Sequence, residues 1–294
     1  HSGDIVFGNL ECPITAGREI MITEMVLRAD PEAATALGEA GFTLLSLANN
    51  HLPDFGPRGL ADTLGYLDDA GIGHVGAGKT AGGAQAPRVV EAGGMKLAFL
   101  AFTDPGLFPE NRLPGEGEPT MAFLEEERLR LAVKGARQAA DFVVFSLHAG
   151  TEYAQGPDRG QVRFARLAVD AGADLVLGHH PHVVQRVEKY RGKYIIYSLG
   201  NFVFDQLWSR PTREGLAAKI YIGRQGVEKM EFIPVFIGDD TRPRVLGGRE
   251  AGEVLQRLGL KLQESALPVW DEKQGVWQEG RRYTYYARRQ LRES

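Results

Sequence analysis

Across residues 4–200, short apolar runs alternate with amphipathic stretches, a rhythm that few folds accommodate. The runs FTLLSLA, DFVVFSLHAG and ADLVLG are continuous rather than alternating, as in strands covered on both faces. Between the strands lie helical segments with their own start and stop signals. Asp30 is expected to cap the first, Pro31 to occupy its first turn, and Gly41 to end it. PRGLADTLGYLDDAG closes at Gly71, and MAFLEEERLRLAVKGARQA and QVRFARLAVDAG follow the same logic. The alternation predicts an α/β architecture with a largely parallel sheet.

Shorter elements complete the pattern. DIVFGNL opens as a strand, and residues 96–102 form another. IGHVGAG reads as a short strand and a turn, and residues 104–120, rich in Gly and Pro, as a long loop. KYIIYSLGNFVFD reads as a strand ending in a glycine and polar groups. Residues 216–222 and 227–237 are expected to pair antiparallel, adding a second, more antiparallel layer. EAGEVLQRLGLKLQESA is expected to be helical. The aromatic and basic segment VWDEKQGVWQEGRRYTYYARR is either a hairpin covering the core or a tail that docks on a partner.

Composition excludes some functions. The formal net charge of −4 over 294 residues gives no electrostatic case for nucleic acid. The one cysteine, Cys12, excludes an intramolecular disulfide framework and reads as a buried spectator thiol. No apolar run is long enough to span a bilayer. The opening HSGDIVFGNLE enters a strand almost at once, so a preceding segment is expected. HVGAGKTAGG places Lys79 beside Thr80, but the first glycine of the phosphate-loop spacing is expected to be missing, and a turn and another strand are expected there rather than a helix, so no phosphate-binding loop is anticipated.

Chemistry concentrates where the strands end. GHHPHVVQ packs His179, His180 and His182 into a few residues, out of seven histidines in the chain. Glu11 ends GNLE, Asn50 and His51 end LANNH, His148 ends FSLH, and Asn201 with Asp205 lies in SLGNFVFD. In a parallel sheet the carboxyl ends of the strands share one edge, so such groups converge. A carboxylate, an amide oxygen and imidazoles suit two divalent ions about 3.5–4 Å apart, which make a bound water nucleophilic. A further histidine that holds no metal can protonate a leaving group. His74, by contrast, reads as a structural histidine.

The stretches GNLECPIT, LSLANNHLPDFGPRG, FSLHAGTEYAQGP, GHHPHVVQ and IIYSLGNFVFDQ resemble, in order, those of the CapA family of poly-gamma-glutamate capsule biosynthesis proteins. That family falls within the calcineurin-like metallophosphoesterase superfamily. The resemblance implies a metallophosphatase-like four-layer α/β/β/α sandwich. It implies two divalent metal ions (Mn, Fe or Zn) held by Glu11, Asn50, His148, His180 and His182, with Glu11 bridging. It implies His51 as catalytic acid oriented by Asp54, and Glu152, Tyr153, His179, Asn201, Phe202 and Asp205 as pocket residues. The family opens with a strand bearing a Gly-Asp motif. Gly3 and Asp4 lie too close to Asn9 to be that motif, so residues 1–245 are expected to form the family domain without its first strand. Residues 246–294 are then an extension packed on or beside it.

What the resemblance implies for function is a metal-dependent hydrolase, cleaving a phosphoester or an amide, in making or exporting poly-gamma-glutamate or a related capsule polymer. Its partners would be a polyanionic polymer or a phosphorylated or gamma-glutamyl substrate, together with membrane-bound capsule machinery. A membrane-associated or extracellular location would follow. Two other readings stay open: a non-catalytic polymer-handling scaffold of the same fold, and an intracellular phosphoesterase unrelated to capsule.

Overall fold

The computed structural model describes residues 3–20, 25–108, 117–260, 263–271 and 276–286. The chain divides into two compact units, residues 1–150 with 160–177, and residues 151–159 with 178–294. Both mix helices with sheets, giving the α/β class that the alternation predicts.

In the first unit, β1 (Phe7–Asn9), α1 (Glu32–Glu39), β2 (Leu44–Ser46), α2 (Gly56–Asp69) and β3 (Gly73–Val75) build a three-stranded parallel sheet of order β1-β2-β3. Leu60, Leu64 and Leu67 recur along one face of α2 and are buried with Ile14, Leu45, Leu47 and Ile72. Each such leucine contributes roughly 1.5–3 kcal/mol through burial. Asp30 does not cap α1. The helix begins one residue later than expected, has no side-chain cap, and the Asp30 carboxylate pairs with Arg28 at 2.8 Å instead.

The segment from Gly73 to Thr80 departs from expectation too. It has the full spacing of a phosphate-binding loop, and a helix follows it: β4 (Ala77–Gly78) leads into α3 (Ala81–Gln85). It still forms no phosphate cradle. Its residues lie in β3 and β4, and the Thr80 hydroxyl caps α3 by accepting from the Gly83 N–H.

β5 (Arg88–Ala92) and β6 (Met95–Thr103) make an antiparallel hairpin, so this sheet is mixed rather than parallel throughout. The turn is Gly93-Gly94, both at positive φ, the two-residue connection that matches strand twist. After β7 (Thr120–Met121), which pairs with β4, come α4 (Glu126–Ala139), β8 (Phe142–His148), α5 (Arg159–Ala171) and β9 (Leu175–His179). β8 runs parallel to β6, all of its residues are buried, and β9 flanks it. The order β9-β8-β6-β5 thus leaves the parallel strands in the middle.

The second unit is mostly antiparallel. β10 (Val187–Tyr190) and β11 (Lys193–Ile196) form a hairpin. The strand expected over KYIIYSLGNFVFD therefore stops at Ile196, and the chain beyond it is irregular, with Gly200 at φ +71°. After the single turn α6 (Arg210–Arg213), β12 (Glu214–Gly223) and β13 (Gly226–Ile237) pair along their length, as expected. β14 (Pro243–Val245) pairs with the end of β13. α7 (Gly248–Gln256) is shorter than the expected helix, because Gly259 adopts φ +66° and turns the chain. Residues 263–266 of that expected helix instead begin β15 (Gln263–Asp271), which forms a hairpin with β16 (Val276–Tyr286). β16 joins β13, so the C-terminal segment is a hairpin within this sheet; residues 272–275 and 287–294 lie outside the described residues. No helix among the described residues is long and apolar enough to cross a membrane.

Candidate metal centre

In the first unit the loops after β1, β2 and β8 carry the polar groups. The β1–β2 ladder continues past β1 through Leu10 N–H to Ser46 C=O. Asn49 then ties the two loops together. Its side-chain amide donates to Leu10 C=O at 2.8 Å, and its oxygen accepts from the backbone N–H of His51 and Leu52. Asn9 donates to Glu11 Oε2 at 3.0 Å, which holds that carboxylate while its other oxygen lies 3.5 Å from His148 Nε2. His148 Nε2 is also 2.8 Å from Asn50 Oδ1. One buried imidazole nitrogen thus faces an amide oxygen and a carboxylate oxygen. Neither oxygen has a proton to offer, so the nitrogen either donates to them or shares a cation with them. The N, O, O donor set could hold a divalent metal.

His51 sits in the same loop as Asn50. Its Nδ1 is 3.0 Å from Asp54 Oδ2, and Asp54 is fully buried. The same carboxylate oxygen accepts from Leu27 N–H at 2.8 Å. A carboxylate at Nδ1 places the ring proton there and leaves Nε2 as the working nitrogen. Beside Glu11, burial pushes the Cys12 thiol up to about 12, with the Glu11 and Asp54 charges adding to it. Cys12 is therefore a neutral spectator near neutral pH.

The second unit has its own group. One ligand atom each from Glu152, His180 and His182 lies within 4.8 Å of the others. A carboxylate and two imidazoles again suit a divalent ion. Glu152, expected as a pocket residue, is thus placed among ligand-type groups. The backbone here is unusual: His180 has φ +99°, His182 φ +58° and Tyr153 φ +63°, conformations that non-glycine residues seldom adopt. Such outliers persist where the surroundings enforce them, and they gather at functional sites. Gly178, on the approach to the histidines, admits no side chain, since a Cβ there would lie 2.0 Å from Tyr197 C=O. Tyr153 stacks on His182, and Trp208 meets Tyr153 edge-on, with ring centroids 6.1 and 6.2 Å apart. Burial lowers the His179 imidazole to about 4, keeping it neutral. Asn201 is buried with its Oδ1 at 2.9 Å from His182 Nδ1. Phe202 and Asp205 are exposed, and neither belongs to the group formed by Glu152, His180 and His182.

Asn9, Gln206 and Thr212 support these groups and escaped the sequence reading. Asn9, two residues before Glu11 in GNLE, and Gln206, which ends IIYSLGNFVFDQ, lie within stretches that the sequence singles out; Thr212 does not.

Residues 1–206 match the family described as "Bacterial capsule synthesis protein PGA_cap". The chain is similar to the "Capsule biosynthesis protein CapA" of Bacillus anthracis, 32% identical over 280 residues, covering 92% of this chain and 67% of that protein. It is similar to the "PGA biosynthesis protein CapA" of Bacillus subtilis, 35% identical over 246 residues, covering 82% of this chain and 63% of that protein. The chain therefore spans about two thirds of the length of these curated relatives. Among solved structures it is similar to the calcineurin-like phosphoesterase YfkN from Bacillus subtilis, with a TM-score of 0.43, 16% identity, and coverage of 79% of this chain and 70% of that one.

Proposed function

The chain belongs to the bacterial capsule synthesis family PGA_cap, and from that premise we propose that it is a metal-dependent hydrolase acting on a capsule polymer or its precursor. The bond cleaved is a phosphoester or a gamma-glutamyl amide. One observation carries the reading: His148 Nε2, buried, faces both Asn50 Oδ1 and Glu11 Oε1. Glu11, Asn50 and His148 would hold metal in the first unit, and Glu152, His180 and His182 in the second. Divalent ions bound there would supply a nucleophilic water at neutral pH and would neutralise charge on the scissile group. His51, as the imidazolium with a proton on each nitrogen, gives the Nε2 proton to the leaving group and is left neutral with its Nδ1–H held by Asp54. Tyr153 and Trp208 offer aromatic surface beside His182 for the bound chain. Work at or outside the membrane, alongside membrane-bound capsule machinery, belongs to the same reading and is supported by family membership alone.

The test is hydrolysis of a phosphodiester and of a gamma-glutamyl peptide by manganese-loaded protein. His51→Ala should lower kcat by about 100-fold or more while leaving bound metal unchanged, since general acids contribute on the order of 10²–10⁴. His148→Ala should lose metal and turnover together. Equal turnover in both variants and wild type contradicts the proposal, and metal retained without turnover on either substrate would favour a polymer-handling scaffold.

A further inference from the structure

We propose that Asn201 is a positioning residue that locks the tautomer of His182, and that Thr212 and Gln206 in turn lock Asn201. The consequence for metal affinity rests on the metal-binding reading above, whereas the tautomer does not.

The argument begins with the Asn201 amide, whose two ends are chemically different. Its Nδ2 lies 3.0 Å from Thr212 C=O and 3.2 Å from Gln206 Oε1. A backbone carbonyl can only accept, so the end facing it must be the NH₂. Flipping the amide would set Oδ1 against that carbonyl, two acceptors with no proton between them. Oδ1 is therefore the atom 2.9 Å from His182 Nδ1, and an oxygen there requires Nδ1 to carry the hydrogen. The neutral ring then presents its lone pair at Nε2. A ligating histidine whose other nitrogen donates to a fixed acceptor is the arrangement that orients a metal-binding imidazole.

Packing makes the lock rigid. Thr212 is fully buried, Gln206 and Asn201 nearly so, and the Thr212 hydroxyl donates to Gln206 C=O at 2.8 Å. The Ser209 hydroxyl accepts from Thr212 N–H and fixes the turn that presents the Thr212 carbonyl. Two glycines bring Asn201 into place. Gly200 takes φ +71°, and a Cβ on Gly215 would lie 1.8 Å from Asn201 C=O. The Asn201 side chain thus engages His182, Gln206 and Thr212 together.

The experiment reads the tautomer directly by ¹⁵N NMR of the metal-free protein at alkaline pH, where imidazole is neutral. Wild-type His182 should be protonated at Nδ1. Asn201→Leu, similar in size but without an acceptor, should lose that preference, and Asn201→Asp, which restores an acceptor, should recover it. Titration with zinc alone should show affinity falling about 10–100-fold in Asn201→Leu. Wild-type His182 protonated at Nε2, or an Asn201→Leu protein with unchanged tautomer and zinc affinity, overturns the inference. If wild type binds no zinc yet shows the Nδ1–H tautomer, the metal reading falls and the lock stands. The wild-type spectrum decides the tautomer even if a variant fails to fold.

Discussion

Asp54 holds two donors on one buried carboxylate oxygen, the His51 ring and the Leu27 backbone. Removing it strands both. Asp54→Ala should destabilise the protein by about 1–3 kcal/mol, measured by urea denaturation, because a buried N–H loses its acceptor. It should also slow any hydrolysis that uses His51, since the ring loses the group that fixes its tautomer. Unchanged stability would mean that Leu27 N–H finds water instead. Asn9 makes a milder case. Asn9→Ala leaves Glu11 in place but removes its 3.0 Å donor, so metal affinity should fall while the fold is kept, as read by zinc titration and circular dichroism.

At the scale of elements, the glycines before the functional loops set the geometry. Gly178→Ala would place a methyl 2.0 Å from Tyr197 C=O, and a backbone atom cannot swing aside as a side chain can. The loss should exceed about 3 kcal/mol, beyond ordinary overpacking, and show as a large fall in denaturation midpoint. What was legible in the sequence follows from the same physics. β8 is buried throughout, so it reads as an unbroken apolar run. Leu60, Leu64 and Leu67 repeat with the period of a helix. Glu11, Asn50, His51 and His148 stand out because each is polar and lies at or within a few residues of the end of an apolar run. Legibility failed where a local backbone choice overrides pattern. The Gly93-Gly94 turn reverses β5 against β6, and Gly259 ends α7 before a segment whose spacing still looks helical. The role of Thr212 was invisible because it acts through its backbone carbonyl, which every residue possesses.

Each of the two units carries side chains of metal-ligand type, drawn from loops far apart in sequence. Metal that binds the folded chain and not the unfolded one stabilises it by mass action, by about 2.7 kcal/mol at a hundredfold excess over Kd. For a chain of 294 residues manganese at that excess should raise Tm by roughly 4 °C for each ion bound, and a chelator should reverse the rise. The most direct measurement is metal content after dialysis from manganese into metal-free buffer. Wild type should retain a stoichiometric divalent ion, and the His148→Ala/His182→Ala double variant, folded by circular dichroism, should retain none. Equal metal in the two proteins, or none in wild type, would contradict the account.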